Sequence, residues 1–229
     1  MLNMRYLKLI SIATLLTALA GCVSPPPSHD YSAFRQADPH SILVLPPLNN
    51  TPEVIAPYSV MTQMMTPIAE SGFYVFPVAV VDQTFKGNGL TVANDIHQVP
   101  VKKLHDIFGA DSALYINIEE YGTSYVVISS ETAVTVSAKL VDLRTGEVLW
   151  QDKARASSAE QQNNNTGGGL VGMLVVAAIN QIAETVSDKG FEIAAITSNR
   201  LLSSDAYNGL LYGPRSPNYG QPALSEKKQ

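Results

Sequence analysis

VDLRTGEVLW, residues 141–150, sets two short apolar stretches around a polar centre. Gly146 can take the positive φ that a tight reversal needs, so the stretch predicts a β-hairpin. Residues 125–141 lead into it as a long strand, with Val134, Val136, Ala138 and Leu140 on one face. The returning strand runs to about Ser157, and alternation puts Val148 and Trp150 on a common face. Upstream, residues 112–121 alternate as well: Leu114, Ile116 and Ile118 against Tyr115, Asn117 and Glu119. The last strands of the sheet are therefore antiparallel.

Before these strands the pattern changes. Ile42-Leu43-Val44-Leu45 is a continuous apolar run closed by Pro46-Pro47, the mark of a strand buried on both faces. Residues 57–71 read as a helix opened by Pro57, with Val60, Met61, Met64, Met65 and Ile68 at helical spacing and Gly72 at its end. That methionine stripe contains no histidine or cysteine and reads as core. Residues 73–76 form a short strand, 77–86 a helix broken by Gly87-Asn88-Gly89, 94–99 a helical turn, and 100–108 a helix stopped by Gly109. Residues 158–169 are a polar, Gly-rich loop. Residues 170–188 form a helix with Lys189-Gly190 as its cap, and another helix follows to about Ser204. The fold class is α/β: a three-layer-like mixed sheet with helices packed on it, in the order β-α-β-α-α-β-β-β-α-α.

The chain's one cysteine ends the greasy stretch LTALAGC, residues 16–22. Arg5 and Lys8 precede twelve apolar or small residues, 9–20, too few to span a bilayer, which needs about 20. Charge, length and small-residue ending define a secretory signal peptide. Leu19-Ala20-Gly21-Cys22 resembles the bacterial lipobox at every position. That resemblance implies cleavage before Cys22, a diacylglycerol on its sulfur and an acyl chain such as palmitate on its amine. Two or three chains anchor a protein lastingly where one does not. Val23 follows the cysteine; the absence of Asp there resembles outer-membrane sorting. Residues 22–40 are Pro-rich and would tether the domain at a reach of roughly 55 Å if extended. Residues 31–37, with Tyr31 and Phe34, could instead lie across the domain. The domain organisation is thus signal peptide 1–21, lipidated tether 22–40, one α/β domain 41–206, and a Pro/Gly-rich tail 207–229 ending in charge.

Without residues 1–21 the chain carries thirteen basic and twenty acidic side chains, a net charge of −7. Such a chain is poorly suited to nucleic acid. GGGLVG, 167–172, matches G-x-G-x-x-G, and Glu192 lies near the ribose-binding distance. A polar linker separates those glycines from a strand that belongs to an antiparallel hairpin, so dinucleotide binding is not expected. The run 167–179 reads as a buried helix or a surface against another subunit or the membrane. His29, His40, His97 and His105 have no compact metal spacing, and Asp95 and Asp106 do not supply one. There is no G-x-S-x-G elbow. Glu119 and Glu120 would point to opposite strand faces and cannot be assumed to form an acid/base pair. No catalytic, cofactor or metal residue is assigned. Tyr207, Leu210, Leu211, Tyr212 and Tyr219 are candidate interface anchors that could equally fold onto their own domain.

Taken together, the lipobox, SILVLPPLNNT (41–51), ESGFYVFPVAVVDQTFKGNG (70–89), FGADSALYINIEEYG (108–122), VDLRTGEVLW and LLYGPRSPNY (210–219) resemble a family of outer-membrane lipoproteins of unknown function related to a meningococcal vaccine-candidate antigen. The family's aromatic-His pair is replaced here by Arg215 and Ser216. The resemblance implies an α/β domain similar to the N-terminal domain of TolB and the periplasmic domain of CsgG-like curli-secretion lipoproteins. It also implies other envelope lipoproteins, CsgG-like ones among them, as partners, and a homodimer. It transfers no enzymatic residue. The expected function is a non-enzymatic, periplasm-facing binding or assembly subunit of an envelope or transport complex, anchored in the outer membrane. A hydrolase would need an acid, histidine or serine cluster in a deep pocket, and a small-ligand carrier an enclosed apolar cavity.

Blocking the lipoprotein signal peptidase is expected to accumulate a heavier precursor, and the intact mass of the mature chain should show loss of residues 1–21 with acyl chains added. A mature chain that starts before Cys22, or carries it unmodified, overturns the assignment.

Overall fold

Six strands make one mixed sheet in the order β3-β1-β4-β5-β6, with β2 beside β4. The computed structural model describes residues 28–126, 129–163 and 189–227. Strand β1 (Ser41–Val44) runs parallel to β3 (Tyr74–Val75) and to β4 (Ser112–Val126). Pro46-Pro47 offer no N–H groups, so the ladder lapses and resumes at β2 (Leu48–Asn49), which pairs with Asn117 and Ile118 further along β4. Strands β5 (Ser129–Asp142) and β6 (Val148–Ser157) complete the antiparallel half.

Alternation along the strands supplies two apolar layers. Ile42 and Val44 of β1 face one core, Leu43 and Leu45 the other, so this strand is buried on both faces as its sequence predicts. The larger core joins Leu114, Ile116, Ile118, Val134, Val136, Ala138 and Leu140 to helices α1 (Ser32–Ala37), α2 (Ala56–Glu70) and α7 (Lys189–Leu202). Met61 and Met64 are buried in it, which settles the methionine stripe as packing. On the opposite face, α3 (Val78–Gly87), α4 (Ala93–His97) and α5 (Val101–Phe108) bring Val81, Phe85, Ile96 and Leu104 onto Leu43, Leu45 and Ala113. Gly109 caps α5 in the left-handed conformation. These three helices cover the parallel half alone. Two short helices, α6 (Ser158–Asn163) and α8 (Leu224–Lys227), complete the described elements.

Four expectations need correction. First, Tyr31 and Phe34 are only 1% and 4% exposed, so residues 31–37 lie across the domain and the tether does not reach residue 40. Second, residues 207–227 are not a loose tail. Leu210 and Leu211 are core, Trp150 Nε1 donates to the Asn208 carbonyl at 2.8 Å, and Tyr31 Oη donates to the Gly209 carbonyl at 2.7 Å. Third, the β5–β6 register shifts between Leu140 and Val141, so that Leu149 and Trp150 are both buried while Val148 is 44% exposed. Val148 and Trp150 therefore do not share a face. Fourth, a register shift between Ile118 and Glu120 turns Glu119 and Glu120 to the same polar face, where they meet Lys153 and Arg155 two residues apart on β6. The lipobox, residues 22–27 of the tether, the 167–172 glycines and the 170–188 helix lie outside the described residues.

Leu210→Ala is expected to cost about 2–5 kcal/mol in urea unfolding, as a buried leucine does. Tyr219→Ala, at an exposed position, should stay within about 1 kcal/mol. Equal, small effects would show that residues 207–227 contribute nothing to the domain.

Candidate functional site: the open face of the antiparallel half-sheet

Because α3, α4 and α5 stop short of it, the outward face of β4–β5–β6 forms the floor of a groove of about 640 Å³. The register builds the floor in rows. Tyr115 lies opposite Lys139, and Lys139 opposite Gln151; Asn117 lies opposite Ser137, and Ser137 opposite Lys153. Leu48 of β2 and His97 at the end of α4 form the wall. The first row is held by aromatic contacts. The Lys139 ammonium stands 5.2 Å from the centre of the Tyr115 ring, and the His97 ring meets Tyr115 edge-on at 5.2 Å. In the second row Asn50 Nδ2 donates to Asn117 Oδ1 at 3.0 Å, a bond that does not use the Asn117 amide hydrogens.

The far end of the same face is closed by ion pairs. Lys153 pairs with Glu119, and Arg155 pairs with Glu120 at 3.1 Å and Glu131 at 3.0 Å. Glu120 also accepts from Thr135 at 2.7 Å, the foremost reason its carboxyl is held below the ordinary range, with Arg155 assisting. Glu119 is lowered chiefly by Lys153. Both carboxylates are thus engaged with cations on β6. At the near end, burial alone would raise Asp142. The Arg144 side chain and the turn N–H groups of Thr145 and Arg144 outweigh it and lower the carboxyl. This acid fixes the 142–147 reversal, with Gly146 at φ 82°.

Burial lowers the His97 imidazole below the usual 6.5; the Lys139 charge acts in the same direction and the Pro46 carbonyl, 2.9 Å from Nε2, opposes it. A neutral ring donates Nε2–H to that carbonyl and ties α4 to the Pro46-Pro47 break. His105 Nδ1 lies 2.7 Å from the Ala110 carbonyl and His29 Nε2 3.6 Å from Asp152, so the four histidines remain apart in function as in sequence. Among the described residues, no three His, Cys, Asp or Glu side chains are placed to hold a metal ion.

The candidate interface residues divide. Leu210 and Leu211 are buried in their own domain and offer no surface. Tyr207 is half-buried. Tyr212 is half-buried and donates to Asp205 at 2.5 Å. Tyr219 is 49% exposed and donates to Asp38 at 2.5 Å, at the end of α1. Tyr212 and Tyr219 each commit their hydroxyl to an acid of their own domain. Cys22 lies outside the described residues. Sequence reading identified Tyr115 and Asn117 as the outward set on β4 but did not join them to Lys139, Gln151 and His97. Only the cross-strand register brings those together.

With the lipobox at its start and a mixed α/β domain behind it, the chain has the form of a bacterial lipoprotein. It belongs to the GNA1162-like lipoprotein family, which it matches over residues 29–215. The lipoprotein NMB1124/NMB1162 of Neisseria meningitidis serogroup B is 45% identical over 207 residues, 90% of this chain and 95% of the relative. The crystal structure of lipoprotein GNA1162 from Neisseria meningitidis is similar with a TM-score of 0.50 at 50% identity, covering 64% of this chain and all of that one. No described helix is long and apolar enough to cross a membrane.

As pH falls, the unfolded chain protonates His97 near 6.5 while the folded ring resists, so stability held above that value is lost as pH drops through the folded pKa. Urea unfolding of the wild type should weaken more between about pH 7.5 and pH 5.5 than that of His97→Gln. Parallel loss in both proteins would remove His97 from this role.

Proposed function

We propose that this lipoprotein is a non-catalytic binding subunit of a cell-envelope or transport assembly, anchored through Cys22 in the outer membrane with its domain on the periplasmic side. The observation that carries the reading is the uncovered, concave face of the antiparallel half-sheet. Its lining sets the exposed Lys139, Gln151 and Lys153 beside half-buried Leu48 and Tyr115 and is open to solvent, which suits a macromolecular partner. A carrier would enclose its ligand: pockets for small molecules bury 70–90% or more of them. For a hydrolase the groove offers no serine–histidine–acid cluster among the described residues; Ser137 is bonded to Glu119 and His97 to Pro46.

The packed N-terminal segment adds a distance constraint. Tyr31 is the first deeply buried side chain among the described residues; about nine residues separate it from Cys22, a reach of at most roughly 28 Å at 3.1 Å per residue. A partner is therefore engaged close to the lipid surface, where another membrane-bound protein is also confined.

The test is a photo-crosslinking residue placed at Gln151 in the lipidated protein in cells, with one at Lys103 on α5 as control. A discrete adduct from position 151 and none from 103 is expected. Recovery of the protein alone and monomeric from both positions would end the assembly reading.

A further inference from the structure

We infer that the groove takes an extended acidic peptide segment of its partner, with a carboxylate seated on the Lys139 ammonium. This rests on the binding-subunit reading and specifies the chemistry of its partner. The outward face holds three cations, and the fold treats them differently. Lys153 and Arg155 are neutralised by Glu119, Glu120 and Glu131. Lys139 sits between them and the helical wall with no carboxylate oxygen within 4.0 Å among the described residues; its neighbour is the face of Tyr115. In a chain with more acid than base, a cation left with only an aromatic ring beneath it, among amide and hydroxyl groups, is a complementary point for a negative charge.

The surrounding groups fit a carboxylate. Gln151 lies directly across from Lys139, and the Asn117 amide hydrogens are free of the Asn50 bond, so donors flank the ammonium on adjoining strands. An extended chain lying across these strands, about 4.8 Å apart, can set one carboxylate on the ammonium and a backbone carbonyl on a flanking donor. A sugar ring fits less well. Carbohydrate stacking needs an open aromatic face, whereas the ring of Tyr115 carries the Lys139 ammonium over its face and His97 at its edge. A lone small anion would stay largely solvated on so open a floor and would be held weakly.

The test uses the full-length lipidated protein in detergent micelles and fluorescence anisotropy of labelled hexaglutamate. Hexaglutamine and an oligogalacturonate of similar charge serve as comparisons. Hexaglutamate should bind, weaken as salt rises, and lose about five- to tenfold in affinity with Lys139→Glu. Lys102→Gln, at an exposed position on α5, should change nothing. Both sites are exposed, and an unchanged thermal midpoint verifies the fold. Equal binding of hexaglutamine, tighter binding of the oligogalacturonate, no binding of hexaglutamate, or indifference to Lys139→Glu would each overturn the inference. A crosslink at position 151 that persists while Lys139→Glu has no effect sinks the acidic-peptide assignment and leaves the binding-subunit reading standing.

Discussion

Two neighbouring carbonyls, those of Asn208 and Gly209, receive the Trp150 indole and the buried Tyr31 hydroxyl, and this pair of bonds ties the segments around residues 31 and 208 to the sheet. A tryptophan or tyrosine can bury its ring only if its polar atom finds a partner. The sheet provides Trp150 through the β6 bulge, the N-terminal segment provides Tyr31, and neither provides an acceptor for the other. The C-terminal segment supplies both. Its path is fixed further by close approach: a Cβ on Gly213 would lie 2.7 Å from the Gly72 carbonyl oxygen, and the Gly213 N–H donates to Ser71 at 2.7 Å. Arg35 to Glu226, at 2.6 Å and part exposed, contributes little beside these buried bonds.

That arrangement sets what the other face can do. With α1, α2, α7 and the C-terminal segment on one side, the larger core is closed, and Tyr31 and Leu210 are buried in it. The helices of the second side are short: α4 has five residues and α5 eight, and they seat on Leu43, Leu45 and Ala113 at the parallel end. The antiparallel half is left with one covered face and one polar face, the usual state of such strands. A groove follows because a wall, made by Leu48 and His97, stands beside an uncovered floor.

The sequence carried the strands well and the irregularities badly. Leu114, Ile116 and Ile118 against Val134, Val136, Ala138 and Leu140 could be read because a period of two survives in each strand alone. The shifts at Glu119 and Leu149 could not, since a bulge is a relation between two strands and its residues carry no mark of it. At Trp150 the even spacing from Val148 was a misleading signal for that reason. Leu210-Leu211 among prolines and glycines lacks any period, so composition suggested a tail where a buried contact exists. Lys139 carries no mark in the sequence that sets it apart from other lysines. What distinguishes it is the absence of the glutamate that its neighbours have, and that can be judged only with the strands in register.

The acidity of the whole molecule does not oppose an acidic partner at this groove. At physiological ionic strength the screening length is about 8 Å, so charges on distant surfaces are largely cancelled by counterions. Within that radius the groups that matter are those on the rows around Lys139. Glu119 is committed to Lys153, and Asp152, opposite Ala138, turns its carboxylate to the other face of the sheet, 3.6 Å from His29. The local balance at Tyr115, Lys139 and Gln151 is positive while the chain as a whole is negative. If Cys22 carries the proposed lipid anchor, confinement near one surface would add to the selectivity of such a weak, open contact by raising the effective concentration of a partner held on the same surface. Modest affinity at the proposed groove would then suffice, with the anchor rather than the area of contact supplying the rest.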